Sequence, residues 1–244
     1  MIRRICCIIF ISMFLVYCTK HYAPQKQEHV HYSLKETSEE KIINDSLFKY
    51  KNAVEKETGR VIAISDGGLV KEGAETNLGN FVCDAMQFVA ESEKIKADVV
   101  LMNRGGLRTN LPAGEIKVTH IFELMPFENE LVILTIKGEK LLQFVELLEE
   151  KKHPFKGMEV KISNHKIKSV TIGGTEILGG KNYTVVTSDY LANGGDGFTF
   201  LKDNSGYTVS GIKVRDAIIA YCEDLTKNKQ TIKPYLDGRL QISK

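Results

Sequence analysis

The hydrophobic pattern begins with a strand, a helix and a second strand in succession. Residues 61–64 form an apolar run that predicts a strand. Apolar residues then recur every three or four positions over 78–89, which predicts an amphipathic helix with Thr76 or Asn77 as its cap. Residues 99–102 form a continuous apolar run, typical of a strand covered on both faces. This alternation favours an α/β architecture.

The same pattern continues toward the C-terminus and predicts further elements around one core. These are a short helix over 120–124 capped by Thr119, a strand over 131–136, a helix from Gly138 onward, a β-hairpin with strands 158–162 and 167–172, a strand over 183–187, a helix over 212–225 and a closing strand over 236–240. We therefore expect an α/β (α+β) fold with a mixed sheet flanked by helices.

The N-terminus has the pattern of a targeting segment rather than of a folded domain. Arg3 and Arg4 precede an apolar stretch over residues 5–16, which is short for a membrane span. This pattern resembles a bacterial lipoprotein signal, which implies cleavage after residue 17 and a lipid on Cys18. An uncleaved anchor and an ordinary signal peptide remain alternatives. We expect a signal peptide at 1–17, a polar tether at 18–50 and one domain at 51–244, exported to the bacterial cell envelope as a periplasmic or outer-membrane lipoprotein.

The charge of the chain argues against one class of partner, and its cysteines predict free thiols rather than disulfides. The chain has 33 Lys and Arg against 31 Asp and Glu, and loss of the signal segment leaves 31 of each sign. A neutral chain offers no electrostatic reason to bind nucleic acid, so we expect no such partner. Cys83 and Cys222 fall on apolar faces of predicted helices, which indicates two buried thiols rather than a disulfide framework.

Three polar loops carry the candidate chemistry. The first follows the strand at 99–102, the second lies at 125–129, and the third follows the strand at 183–187. Two aromatic faces can sandwich a flat ring, an amide can bond the edge of a base, a carboxylate can accept from two neighbouring hydroxyls, and an arginine can bond a hydroxyl or a phosphate. Together they could form a nucleoside or nucleotide site, although each aromatic alone is more often a core residue. The candidates are Asn103, Arg108, Phe127, Tyr190 and Asp196, with Gly105, Gly106, Gly194, Gly195 and Gly197 shaping the loops.

Four motifs in order resemble the C-terminal domain of the 5′-nucleotidase family. They are Glu75-Thr76-Asn77-Leu78-Gly79-Asn80, the segment from Asn103 to Arg108, Pro126-Phe127-Glu128-Asn129, and the segment from Leu191 to Phe198. The resemblance implies that Phe127 and Tyr190 stack on the base and that Asn103 bonds its edge. It implies that Arg108 and Asp196 hold the ribose or nearby groups.

Three positions depart from the family pattern. Arg104 stands where the family favours glycine, and Tyr190 stands where it favours phenylalanine. Glu72 occupies a position that is often arginine, and an acidic residue there would disfavour a nearby phosphate.

The resemblance covers the substrate-recognising half of the family and not its metallophosphatase half. The metal-binding motifs of that half, Asp-x-His and Gly-Asn-His-Asp/Glu, do not occur in this sequence. We expect no cofactor or metal on this chain, and divalent metals on a separate metallophosphatase chain that supplies catalysis. The alternative is a non-catalytic exported nucleoside-binding lipoprotein. A remnant with an inactive pocket and a self-sufficient hydrolase are the remaining hypotheses.

Overall fold

The structure, a computed structural model, describes residues 41–243. Its helices are α1 (Lys41–Thr58), α2 (Asn77–Ser92), α3 (Val118–Leu124), α4 (Gly138–Lys151), α5 (Asp189–Ala192) and α6 (Val214–Lys227). Its strands are β1 (Val61–Ser65), β2 (Val99–Leu101), β3 (Gly114–Lys117), β4 (Glu130–Lys137), β5 (Phe155–Lys156), β6 (Met158–Ser163), β7 (Lys166–Ile172), β8 (Thr175–Glu176), β9 (Asn182–Ser188), β10 (Gly206–Lys213) and β11 (Leu240–Ser243). Short 3₁₀ turns occur at Arg104–Gly106, Gly195–Gly197 and Thr199–Lys202.

A five-stranded sheet with the order β10-β4-β9-β2-β5 brings the three polar loops to one edge. Strands β2 and β9 are parallel, with Val99 opposite Val185, so the loops that follow them leave at the same end. Strand β4 is antiparallel to β9, with Leu131 opposite Ser188, so the loop before β4 reaches that end as well. The sheet register, rather than proximity in sequence, therefore assembles the site.

Helices and smaller sheets cover both faces of this sheet. Val100 packs into a core on one face with α2, α3 and α6, whereas its neighbours Val99 and Leu101 pack into a second core with α4, β6 and β7. Strand β2 is buried along its whole length, as its apolar run predicts. A two-stranded sheet of β1 and β3 and a four-stranded sheet with the order β11-β6-β7-β8 complete the described fold. The predicted mixed sheet flanked by helices is confirmed.

Some sequence-based boundaries are wrong. Thr119 does not cap the short helix but lies inside α3, which begins at Val118 and has Lys117 as its cap residue. The closing strand forms at Leu240–Ser243, after the predicted segment 236–240, where it pairs in parallel with β6. Strand β10 was not predicted, because it lies at the sheet edge with no buried residue and has little apolar signal.

The two cysteines of the folded part are free and buried, as predicted. Burial raises the pKa of the Cys83 thiol to about 12, and it does the same for Cys222. Cys18, the signal segment at 1–17 and most of the tether lie outside the described residues. Over residues 41–243, no helix has the length and apolarity required to cross a membrane.

Candidate functional site

The three loops enclose a cavity of about 550 Å³ at the edge of the five-stranded sheet. The structure brings all five predicted site residues to its lining: Asn103, Arg108, Phe127, Tyr190 and Asp196. Gly105 and Gly106 line it too, while Gly194, Gly195 and Gly197 belong to the turn that carries Asp196. We call this space the aromatic cavity.

Asp196 joins the first loop to the third. Its Oδ2 accepts a hydrogen bond from Asn103 Nδ2 at 2.6 Å, and its Oδ1 accepts one from the Tyr190 hydroxyl at 2.9 Å. Asp196 itself has φ 49°, in the left-handed region, between Gly194 at 87° and Gly197 at 88°. Its carboxylate therefore bonds one side chain of the first loop and one of its own loop instead of its own backbone. The adjacent carboxylate raises the pKa of Tyr190, because it accepts the phenol proton and opposes a second negative charge.

Close packing at Gly195 holds the Tyr190 ring in place. A Cβ at this position would lie 2.4 Å from two atoms of the ring, nearer than a real contact allows. Glycine is therefore required here for the ring to approach the backbone and reach Asp196. The close approach of the Tyr190 ring is the reason for a glycine at position 195, and the sequence alone could not identify this neighbour.

The two candidate aromatics are surface residues and not part of the core. Phe127 is 42% exposed and Tyr190 is 45% exposed, whereas nearby core residues such as Phe198 are fully buried. A hydrogen bond from Asn129 Nδ2 to Asp189 Oδ1, at 2.9 Å, ties their two loops together. Exposed aromatic faces beside one cavity are suited to hold a flat ring.

Arg108, at the end of the first loop, contacts the second loop. Its guanidinium carbon is 5.9 Å from the centre of the Phe127 ring, and its Nη1 donates to the Gly105 carbonyl at 3.2 Å. Both partners are uncharged, so these two contacts do not neutralise the guanidinium, which can still pair with a charged or polar ligand group.

A charged group behind the second loop was missed by sequence reasoning. Arg215 on α6 is only 6% exposed, and its Nη2 donates to Glu128 Oε1 at 2.6 Å. Its guanidinium carbon lies 4.1 Å from the Phe122 ring centre, and Lys213 also bonds Glu128. These hydrogen bonds lower the pKa of Glu128. Arg215 and Lys213 thus hold Glu128, the residue next to Phe127, in place. Both lie more than 80 residues away along the chain, so no local sequence pattern could connect them to the second loop.

The departures at Arg104 and Glu72 have structural consequences beyond the cavity. Arg104 donates to the carbonyls of Lys71 at 2.5 Å and Gly73 at 2.7 Å, and Lys71 Nζ donates back to the Arg108 carbonyl at 3.0 Å. Glu72 accepts from Asn110 Nδ2 at 3.3 Å. The added cation therefore fastens the 71–73 segment to the turn after β2.

A second concavity of about 790 Å³ adjoins the aromatic cavity. We call it the basic groove; Lys71, Arg104, Arg108 and Lys151 line it, together with His153 and Asp196. His153 Nδ1 accepts from the Arg104 backbone N–H at 3.2 Å, and burial lowers the pKa of its ring to about 4. The sequence did not single out His153 or Lys151, since neither lies in a family motif.

Among residues 41–243, no group of three His, Cys, Asp or Glu side chains is arranged so that it could hold a metal ion.

Comparison with known proteins finds relatives of the same fold. A 5′-nucleotidase of Vibrio parahaemolyticus is 27% identical over 199 residues, covering 77% of this chain and 35% of that protein. Protein UshA of Escherichia coli is 24% identical over 155 residues, covering 61% of this chain and 27% of its own length. The crystal structure of a 5′-nucleotidase precursor from Thermus thermophilus has a TM-score of 0.71 at 25% identity, over 83% of this chain and 43% of that one.

This chain thus spans about a third of the length of the curated relatives that it matches. The family model described as the 5′-nucleotidase C-terminal domain matches residues 57–203, which is more than half of the sequence and contains all three loops. The chain belongs to the family of 5′-nucleotidase C-terminal domains.

Proposed function

We propose that this chain is the nucleoside- and nucleotide-recognising component of a 5′-nucleotidase and acts with a separate metallophosphatase chain. The base lies between Phe127 and Tyr190, Asn103 bonds its edge, and Asp196 and Arg108 hold the ribose. The metal ions and the attacking water come from the partner, since two-metal phosphoester hydrolysis needs a dense set of ligands. The relatives named 5′-nucleotidase support this assignment of reaction class.

One observation carries the proposal: two exposed aromatic rings and a fixed carboxylate share one cavity. The carboxylate of Asp196 is positioned by Asn103 and by the Tyr190 hydroxyl, so its place relative to the ring is fixed before a ligand arrives. A carboxylate has about four acceptor sites, so Asp196 can still accept from a pair of ribose hydroxyls. Apolar faces with a few fixed polar groups are the usual composition of a small-molecule site.

The proposal also places the chain at a membrane surface outside the cytoplasm. The signal segment at 1–17 exports it, and a lipid on Cys18 anchors it through the tether at 18–50. A lipid-anchored recognition domain would meet its partner and its ligand in the cell envelope.

Adenosine and AMP binding by calorimetry tests the recognition half. We expect the full chain, purified in mild detergent, to bind adenosine. Loss of one stacking face in Phe127→Ala should weaken binding by about 5- to 150-fold, since stacking contributes about 1–3 kcal/mol per base. Tyr207→Ala is the matched control, because Tyr207 is an equally exposed aromatic that does not line the cavity.

Phosphate release from AMP with a divalent metal tests the catalytic half. Release only when a candidate metallophosphatase chain is present would support the two-chain enzyme. Binding without release in either condition would favour the non-catalytic nucleoside-binding lipoprotein. Release by this chain alone would replace the two-chain proposal with a self-sufficient hydrolase, and failure to bind adenosine would refute the assigned site.

A further inference from the structure

The second loop is held by its main chain at both ends but not at its tip. At one end the Met125 N–H bonds the last turn of α3 at 2.9 Å, and at the other the Val214 N–H donates to the Asn129 carbonyl at 2.9 Å. Between these points, the main chain of residues 126–128 makes no hydrogen bond with another main-chain group of the described chain. The position of Phe127 therefore depends on side-chain contacts.

Packing of the Phe127 ring does not supply this constraint. The ring is 42% exposed and belongs to neither hydrophobic core of the described fold. Its cationic partner Arg108 lies 5.9 Å from the ring centre, at the outer limit of cation–π attraction. A ring with so few contacts keeps its place beside the aromatic cavity only if its backbone is fixed.

The side chain of Glu128 fixes this backbone. Its Oε1 accepts from Arg215 Nη2 at 2.6 Å, and its Oε2 accepts from Lys213 Nζ. The bonds from Lys213 and Arg215 lower the pKa of Glu128, so the carboxylate is charged at neutral pH. Lys213 and Arg215 flank Val214, which bonds Asn129, so one short segment holds the second loop through three hydrogen bonds.

Packing alone does not explain an arginine at position 215. Arg215 is 6% exposed, its guanidinium carbon lies 4.1 Å from the Phe122 ring centre, and within the described residues its buried Nε–H has no acceptor. A buried cation with an unsatisfied donor often stabilises a fold no better than an apolar side chain of similar volume. The hydrogen bond to Glu128 is the contact that an apolar side chain could not make.

We propose that Arg215 is a positioning residue: through Glu128 it fixes the backbone of the second loop and thereby holds the Phe127 ring beside the aromatic cavity. Arg215 does not line that cavity, so it acts on a ligand only through the loop. It also lies C-terminal to the segment that the family model matches. The inference rests on the proposed function, because Phe127 is the stacking face for the base.

Adenosine binding by calorimetry, on the full chain in mild detergent, tests this role. Arg215→Gln removes the charge and shortens the side chain, and it should weaken binding by about 2- to 10-fold, the cost of ordering one further side chain on binding. Arg215→Lys keeps a cation beside Glu128 and should recover part of this loss. Glu223→Ala is the matched control, since it breaks a 2.6 Å hydrogen bond with Arg60, neither of which lines the cavity, and should leave the affinity within about twofold.

A double-mutant cycle with Phe127→Ala separates positioning from general destabilisation. If Arg215 acts through the ring, Arg215→Gln should change adenosine affinity by less than about twofold once the ring is absent. A general loss of folding would instead lower the affinity equally in both backgrounds.

Glu128→Ala tests the same contact from the solvent side. Its carboxylate is exposed, so this variant tests the inference even if the buried substitutions at Arg215 impair folding. Because it removes the acceptor of both Lys213 and Arg215, it should weaken adenosine binding at least as much as Arg215→Gln does. This loss too should disappear in the Phe127→Ala background.

The outcomes separate this inference from the proposed function. If adenosine binds and both Arg215→Gln and Glu128→Ala leave its affinity unchanged, the positioning role is refuted and the nucleoside site survives. Additive losses in the cycles refute the positioning role as well, since the substitutions then act by another route than the Phe127 ring. If the wild-type chain does not bind adenosine, the nucleoside site and the role given to Arg215 both fail.

Discussion

The hydrogen bond between Asn129 and Asp189 predicts a measurable coupling between the two aromatic loops. Asn129 Nδ2 lies 2.9 Å from Asp189 Oδ1, in a partly buried position. A hydrogen bond to a charged group contributes about 1.5–3 kcal/mol, and partial exposure places this one near the lower end, at about 1–2 kcal/mol. The bond joins the residue two positions after Phe127 to the residue before Tyr190.

A double-mutant cycle with Asn129→Ala and Asp189→Ala isolates this energy in urea unfolding. Asp189→Ala alone also removes the acceptor of the Tyr190 N–H, so its single effect should exceed the coupling. The cycle subtracts that part and should give a coupling of about 1–2 kcal/mol, measured as non-additive free energies of unfolding. Asn129→Ala alone should shift the urea midpoint by about 0.5 M.

Asn193→Ala supplies the matched control for the cycle. Asn193 Nδ2 also bonds Asp189 at 2.9 Å, but at its main-chain oxygen, which Asp189→Ala leaves in place. This pair should therefore be additive within about 0.5 kcal/mol. Additivity of the Asn129 and Asp189 substitutions would refute the tether, and the same result would remove the argument that the two rings are held in register.

Tyr190, His153 and the two buried thiols give three further tests of the structure. Tyr190→Phe should weaken adenosine binding by less than about tenfold, because the ring remains but Asp196 loses one of the two donors that position it. Tyr190→Ala should weaken it more, because the stacking face is lost as well, and calorimetry measures both. Between pH 6.5 and 4 the unfolded chain protonates His153, whereas the folded chain, in which burial lowers the pKa of His153 to about 4, does not. The free energy of unfolding, measured in urea, should therefore decrease by up to about 3 kcal/mol as the pH is lowered through this range. His153→Gln should reduce this pH dependence. Cys83 and Cys222 should resist iodoacetamide at pH 8 in the folded chain and react after unfolding, as peptide mapping would show, because their raised pKa values and burial leave little accessible thiolate.

The elements that the sequence predicts well are those buried by continuous or periodic apolar residues. Strand β2 and the stripe of α2 were predicted because burial on fixed faces leaves a pattern in the chain. Strand β10 left no such pattern, since it pairs with β4 on one side only and none of its residues is buried. Edge strands are specified by their partner more than by their own residues.

The site divides in the same way. Asn103 and Asp196 were found through motifs and loop glycines, and their loops were placed correctly at strand ends. The bonds that hold them in position were not foreseeable, because Asn103 and Asp196 are 93 positions apart and meet only through the register of β2 with β9. The sequence could not predict the basic groove, because Lys71, Lys151 and His153 come from separate segments of the chain and match no motif.

Asp196 connects these observations in one physical argument. Its left-handed backbone and its two protein donors are features that cost conformational freedom, and they fix the carboxylate before a ligand arrives. A preorganised acceptor reduces the ordering cost of binding, so the free energy of contact with a ribose is retained as affinity. The same carboxylate lines both the aromatic cavity and the basic groove, which also carries the side chains of four cationic residues. Asp196→Asn should therefore weaken adenosine binding in the same calorimetric assay as Phe127→Ala does, because the proposed ribose acceptor loses its charge and one of its acceptor oxygens.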